Sequence, residues 1–162
     1  MTNALMVVDV QLWGFAPYEG RLPDADDLLP RLAARLEEAR SAGWTIVHVQ
    51  NDGEEPWEDA PGGQLWPMMF EPAEGEIHVR KTVSDTFESN PQLAEQLRGL
   101  GVTEITMIGC QSDMCVRATA YGAKQAGFAV HVPTGLHGTY DSEGKTADQI
   151  KAEIDAELAA NL

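Results

Sequence analysis

The sequence predicts a three-layer α/β/α domain, Rossmann-like, with a mainly parallel five-stranded sheet in the order 3-2-1-4-5. Three observations carry this expectation. Short apolar runs alternate with stretches of helical periodicity, as in parallel sheets covered on both faces. No internal repeat or interdomain linker interrupts the alternation, and 162 residues suit one domain with a full core, spanning 1–162. Right-handed crossovers then leave few topologies, of which 3-2-1-4-5 is the most economical.

The elements follow in order. Ala4–Val10 is a buried first strand with Asp9 near its end. Leu28, Leu32 and Leu36, with Ala33 and Ala39, recur at helical spacing, Asp24 or Asp26 is placed to cap that helix, and Gly43 stops it. Trp44–Val49 is the second strand. A Pro- and Gly-rich passage from Asn51 to Gly75 follows, and a stretch that long without pattern is usually a functional loop. Ile77–Arg80 is a third strand, Pro91–Leu100 a helix, Thr103–Gly109 a fourth strand, and Met114–Ala126 a helix. Phe128–Val132 is the fifth strand and Thr146–Leu162 a terminal helix rich in Ala and Glu.

Composition excludes several classes of function. The formal charge is −15, from 26 acidic and 11 basic residues, a surface that repels nucleic acid and anionic membranes. The densest acidic stretch, Glu54-Glu55-Pro56-Trp57-Glu58-Asp59, reads as a solubilising surface rather than an interaction tail. The two cysteines, Cys110 and Cys115, make no secreted disulfide framework. With no leader pattern and no apolar run near the roughly 20 residues that span a bilayer, a cytoplasmic protein is expected.

In the order 3-2-1-4-5 strands 1 and 4 are neighbours, and the chain reverses between them, where ligands of open α/β sheets bind. Asp9 ends strand 1 and Cys115 opens the helix after strand 4, so the two face one crevice. A helix N-terminus favours thiolate over thiol, which marks Cys115 as a candidate nucleophile. Asp9 can carry its proton. Lys81, beyond strand 3, can supply a cation at the same sheet edge, with Arg80 its nearest rival, and backbone N–H groups of the turn 110–115 can hold an oxyanion.

Three motifs in order resemble the isochorismatase-like cysteine hydrolases. They are Ala4-Leu5-Met6-Val7-Val8-Asp9-Val10-Gln11, then Lys81 with Phe87, then Gly109-Cys110-Gln111-Ser112-Asp113-Met114-Cys115-Val116 with Thr119-Ala120. The likeness continues through Gly127-Phe128-Ala129-Val130 and His137-Gly138-Thr139-Tyr140-Asp141. It implies an Asp9–Lys81–Cys115 triad that cleaves a small amide-like or carbamoyl-like C–N bond through a thioester acyl-enzyme. It also implies oxyanion donors at the Gln111 and Cys115 amides, a cis peptide between Cys110 and Gln111, and a homo-oligomer, dimer or tetramer. Nicotinamidases of this family hold a metal through an Asp-x-His and further histidines after strand 2. Here Gln50-Asn51-Asp52-Gly53 stands in that place, so neither metal nor cofactor is expected. The family's usual sixth strand after the terminal helix is also missing, leaving an edge that is bare or covered by another subunit.

Competing assignments exist for each residue. Cys115 could be an inert buried thiol, or Cys110 could resolve an oxidised Cys115 in a thiol redox protein. A binding protein on a hydrolase scaffold is a third reading. Cys110 and Tyr121 read as packing, Ser112 and Asp113 as helix caps, and His48, His78 and His131 as structural histidines within strands. Trp13 and Phe15, which follow strand 1, and His137, in the loop after strand 5, are the candidate substrate-binding residues. The Trp66–Phe70 stretch reads as core or subunit interface.

Overall fold

The computed structural model describes residues 2–162. In chain order the elements are β1 (Thr2–Val8), α1 (Leu12–Phe15), α2 (Ala25–Ser41), β2 (Thr45–Asn51), β3 (Ile77–Lys81), α3 (Thr86–Ser89) and α4 (Leu93–Gly99). There follow β4 (Val102–Cys110), a π-helical turn (Ser112–Val116), α5 (Arg117–Gln125), β5 (Ala129–His131), β6 (His137–Gly138) and α6 (Ala147–Asn161). The strands pair in parallel in the order β3-β2-β1-β4-β5. β6 adds a sixth strand, pairing with the end of β4 where the sequence reads only a loop. Two residues are too few to give an apolar run.

Alternation along β1 divides the core. Ala4, Met6 and Val8 face Leu93 and Leu97 of α4, Ala120 and Ala123 of α5, and Ile150, Ile154 and Leu158 of α6. Leu5 and Val7 face the Leu28, Leu32, Leu36 stripe of α2. Each buried leucine or isoleucine is worth about 1.5–3 kcal/mol against exposure, so these two clusters hold helices to both faces. Gly43, at φ 71°, ends α2 in the left-handed region that a Cβ disfavours. Thr146 and Gln149 form a reciprocal capping box that starts α6.

Two expected caps fall elsewhere. Asp24 sits at the N-cap position of α2 without accepting from it, and instead binds Lys151 of α6 at 2.8 Å, while Asp26 pairs with Arg21. Ser112 and Asp113 do not cap the turn they open. Asp113 accepts from the Thr139 hydroxyl and Ser112 meets His137, because ion pairs and buried partners outcompete local N–H groups here.

The stretch from 52 to 76 has no helix or named strand, yet it is tied down. Leu12 N–H donates to Pro67 O at 2.9 Å, Trp13 N–H to Leu65 O at 3.0 Å, and Met69 N–H to Val10 O at 2.8 Å. The buried Gln11 amide adds two bonds to backbone, Nε2 to Asn51 O at 3.1 Å and to Trp66 O at 2.7 Å. Met69 and Phe70 pack on the α2 side of the core. This loop therefore roofs the C-terminal ends of β1 and β2.

Candidate active site

Each key side chain stands at the end of a strand. Asp9 follows β1 with φ 53°, a left-handed conformation that Asp tolerates better than most residues, and its N–H donates to Val49 O at 3.0 Å. The turn out of β1 sends its carboxylate into the crevice rather than along the sheet. Asn51 and Lys81 are register partners at the ends of β2 and β3. Cys115 lies in the π-helical turn after β4, and the peptide from Cys110 to Gln111 is cis. A π-turn sets successive side chains off the ordinary helical positions and is frequent at functional sites.

These elements bring three distant residues together. Lys81 Nζ lies 3.0 Å from Asp9 Oδ2, 3.0 Å from Cys115 Sγ and 2.9 Å from Asn51 Oδ1. The lysine has to cross the end of β2 to do so, and Asn51 is the group that holds it on the way. Three acceptors for three ammonium protons make a satisfied cation, although both charges are almost wholly buried, each residue 1% exposed. Asp9 Oδ1 is different: it is buried and has no hydrogen-bond partner. Asp9, Trp13, Asn51, Asp59, Gln111 and Cys115 line a cavity of about 120 Å³.

The electrostatics assign protonation states. Burial raises the Asp9 carboxyl above its usual value of 3.8, with the Lys81 charge working against it. At Lys81 burial acts to lower the pKa, but Asp9 and Cys115 overcome it and the net direction is up. The complete set of acceptors around Nζ holds Lys81 as the ammonium. Burial and then the Asp9 charge push the Cys115 thiol up to about 12, outweighing Lys81. Burial and the Asp9 charge thus outweigh the preference for thiolate that a helix N-terminus would give. The thiol keeps its proton, and a carboxylate with a free oxygen and raised basicity lies beside it.

Of the candidate substrate-binding residues only Trp13 lines the cavity. Phe15 is buried in the α2-side core, since the short helix α1 turns it inward. His137 is also buried: Nδ1 lies 2.7 Å from Ser112 Oγ and Nε2 lies 2.9 Å from Asp155 Oδ1. It braces the π-turn against α6 and does not face the crevice. Arg80 points away to bind Asp52 at 2.8 Å, leaving Lys81 alone at the site. Cys110 packs in the α2-side cluster and Cys115 against the opposite one, so the two thiols lie on different faces of the sheet and are poorly disposed to pair. His48 binds Glu76 at 2.8 Å and His78 binds Gln50 at 3.0 Å, both structural contacts.

Three further residues at the site are given no role by the sequence, although Gln11 closes the first motif. Asn51 orients Lys81, Gln11 fixes the Asn51 backbone, and Asp59 reaches the cavity from the long loop. The register of Asn51 beside Lys81 is the clue that could have found the first.

The donor set after β2 does not fit a metal. Asp52 is taken by Arg80 and by Trp66 Nε1 at 3.0 Å, Asn51 by Lys81, and His78 by Gln50. Among the described residues no cluster of three His, Cys, Asp or Glu side chains could hold an ion.

A parallel sheet in this order, with carboxylate, ammonium and thiol gathered at its switch point, defines an α/β domain with the architecture of the isochorismatase-like hydrolases. The sequence matches the Isochorismatase domain over residues 3–154, and the chain belongs to that hydrolase family. It is 44% identical over 141 residues to a streptothricin hydrolase of Streptomyces noursei, covering 86% of this chain and 55% of that protein. The chain spans about half the length of the two streptothricin hydrolases it matches. An isochorismatase from Pseudomonas putida KT2440 superposes with a TM-score of 0.88 at 28% identity, covering 99% of this chain and 84% of that one. A pyrazinamidase of Pyrococcus horikoshii in complex with zinc shares the fold, with a TM-score of 0.83 at 21% identity over 99% of this chain and 96% of that one. No helix among the described residues is long and apolar enough to cross a membrane.

Proposed function

We propose that the protein hydrolyses a small amide-like or carbamoyl-like C–N bond through a thioester on Cys115. The observation that carries this reading is the buried Lys81 ammonium, 3.0 Å from both Asp9 Oδ2 and Cys115 Sγ, beside an unpartnered Asp9 Oδ1.

The chemistry follows from the protonation states. With the thiol near 12, little thiolate exists at neutral pH, so the proton must leave as sulfur attacks. Asp9 accepts it, sulfur bonds to the carbonyl carbon, and the π electrons move onto oxygen. The backbone N–H groups of Gln111 and Cys115, both residues of the cavity wall, are the donors assigned to that oxyanion. Asp9 passes the proton to the leaving nitrogen as the C–N bond breaks, giving amine and thioester. Water then loses a proton to Asp9 and adds to the thioester carbon. The C–S bond breaks, the acid departs, and Asp9 returns the proton to sulfur. Lys81 stays charged throughout and limits the cost of each anion.

Cys115→Ala should abolish turnover, at least a thousandfold, while leaving the melting temperature within a few degrees. A panel of small amides, lactams, ureas and carbamoyl compounds supplies the substrates, with streptothricin included because of the 44% identical relative. Intact-mass spectrometry of quenched wild-type reactions should show an acyl adduct that Cys115→Ala lacks. Full activity in that variant would end the proposal.

A further inference from the structure

The acidic stretch that reads as a solubilising surface in the sequence lies, in the fold, along a groove. Glu54, Trp57, Glu58, Asp59 and Leu65 from the long loop, with Trp13 and Tyr18, line a space of about 830 Å³. Trp13 and Asp59 line this groove and also the small cavity over Cys115, so the two spaces share a wall. The groove thus lies beside the cavity over the thiol.

Its charges are unneutralised. Among the described residues no Lys, Arg or His lies within 4.0 Å of the carboxylates of Glu54, Glu58 or Asp59. The cations nearest in the chain are committed elsewhere, Arg80 to Asp52 and Lys81 to Asp9. The negative field reaches the opposite wall: Tyr18 has its pKa raised by burial and by Asp59 and Glu58. Trp13, Tyr18 and Trp57 line the same groove as these acids, and Trp57 is 70% exposed. A second feature lies deeper. Asp9, whose Oδ1 is buried and without a hydrogen-bond partner, is among the residues lining the inner cavity.

We propose that this groove recognises a cation, so that the substrate is a small amide bearing an ammonium or guanidinium group on the portion held between Trp57 and the Glu54, Glu58 and Asp59 carboxylates while its carbonyl meets Cys115. An anionic substrate would be repelled by three carboxylates before reaching the thiol. A neutral one would leave them without the counter-charge they lack. A cation gains Coulomb attraction from the acids and quadrupole attraction from the indole and phenol faces, both strengthened in a partly enclosed groove. This assignment rests on the amide-hydrolase reading for the position of the scissile bond, though not for the binding of the cation.

The test separates the two. Binding of 6-aminohexanamide and of its neutral analogue 6-hydroxyhexanamide to Cys115→Ala is followed by NMR shifts of the Trp13 and Trp57 indoles at low salt. The cationic amide should bind at least tenfold more tightly, and Glu54→Gln/Glu58→Gln/Asp59→Asn should bring the ratio within twofold. Glu58→Gln alone, at an exposed position, should at least halve the preference and serves if the triple variant is unstable. Equal affinity, absence of saturable binding by the cation, or a preference that survives the triple variant would overturn the proposal. Wild-type turnover of both amides gives the second axis. Hydrolysis without charge preference sinks the cation site alone, and charge-selective binding without hydrolysis of any amide sinks the hydrolase reading alone.

Discussion

Asp9 carries two opposed duties, and its charge makes both measurable. After burial, its charge is the next cause that raises the Cys115 pKa, and it is the base in the proposed attack. Asp9→Asn should therefore speed alkylation of Cys115 by iodoacetamide at pH 8, because the thiol pKa falls, while abolishing amide turnover. Slower alkylation would contradict the electrostatic account. Lys81 is tested through stability. Lys81→Met removes the counter-charge from a carboxylate that is 1% exposed, and breaking a buried pair from one side costs about 3–5 kcal/mol. The sign with pH follows from linkage. Burial already lifts Asp9 above 3.8, and without Lys81 the folded-state value rises further. A raised folded pKa adds stability below the unfolded value, which is lost as pH rises through the folded one. Urea denaturation should thus show the variant's deficit to be largest near pH 8 and smaller near pH 5.

At the scale of elements, the π-turn is the part that presents Cys115, the proposed nucleophile, and it is braced from behind. His137 of β6 links Ser112 in the turn to Asp155 in α6, at 2.7 and 2.9 Å. His137→Ala strands the Ser112 hydroxyl in a buried site, at a cost of about 1–3 kcal/mol. Because the turn carries Cys115, loosening it should also misplace the sulfur and lower kcat by roughly ten- to a hundredfold with little change in KM. Thermal melts and steady-state kinetics together check this. A stability loss with kcat unchanged would make His137 a brace for α6 alone. The long loop is the second such element. Its pairing with the start of α1, through Leu12 to Pro67 and Trp13 to Leu65, carries the acidic groove to the mouth of the site.

For the whole molecule, the order of the five main strands and the four longer helices were legible because apolar runs and helical spacing report them, while the gathering of Asp9, Lys81 and Cys115 was legible through the three motifs of the family resemblance. What stayed hidden depends on side-chain partners that no periodicity encodes. Asn51 and Gln11 are ordinary polar residues until the fold sets one against Lys81 and threads the other under the loop. His137 reads as a crevice residue from its loop position, but its two-residue strand turns it inward. Gly109 is the instructive case. It reads as the last residue of the fourth strand, and the structure gives the reason for glycine: at φ 126° within β4 an added Cβ would sit 2.0 Å from the Val8 carbonyl oxygen. Glycine is needed there because β1 and β4, the central pair, approach each other just below the crevice. Gly109→Ala would have to spread these two strands or twist β4, and either motion carries Asp9 away from Cys115. Low yield of folded protein, or a folded variant with a much reduced melting temperature and no turnover, is the expected result. A Gly109→Ala protein as stable and active as wild type would mean that the central pair tolerates separation, and that the site does not depend on the tight contact between its two central strands.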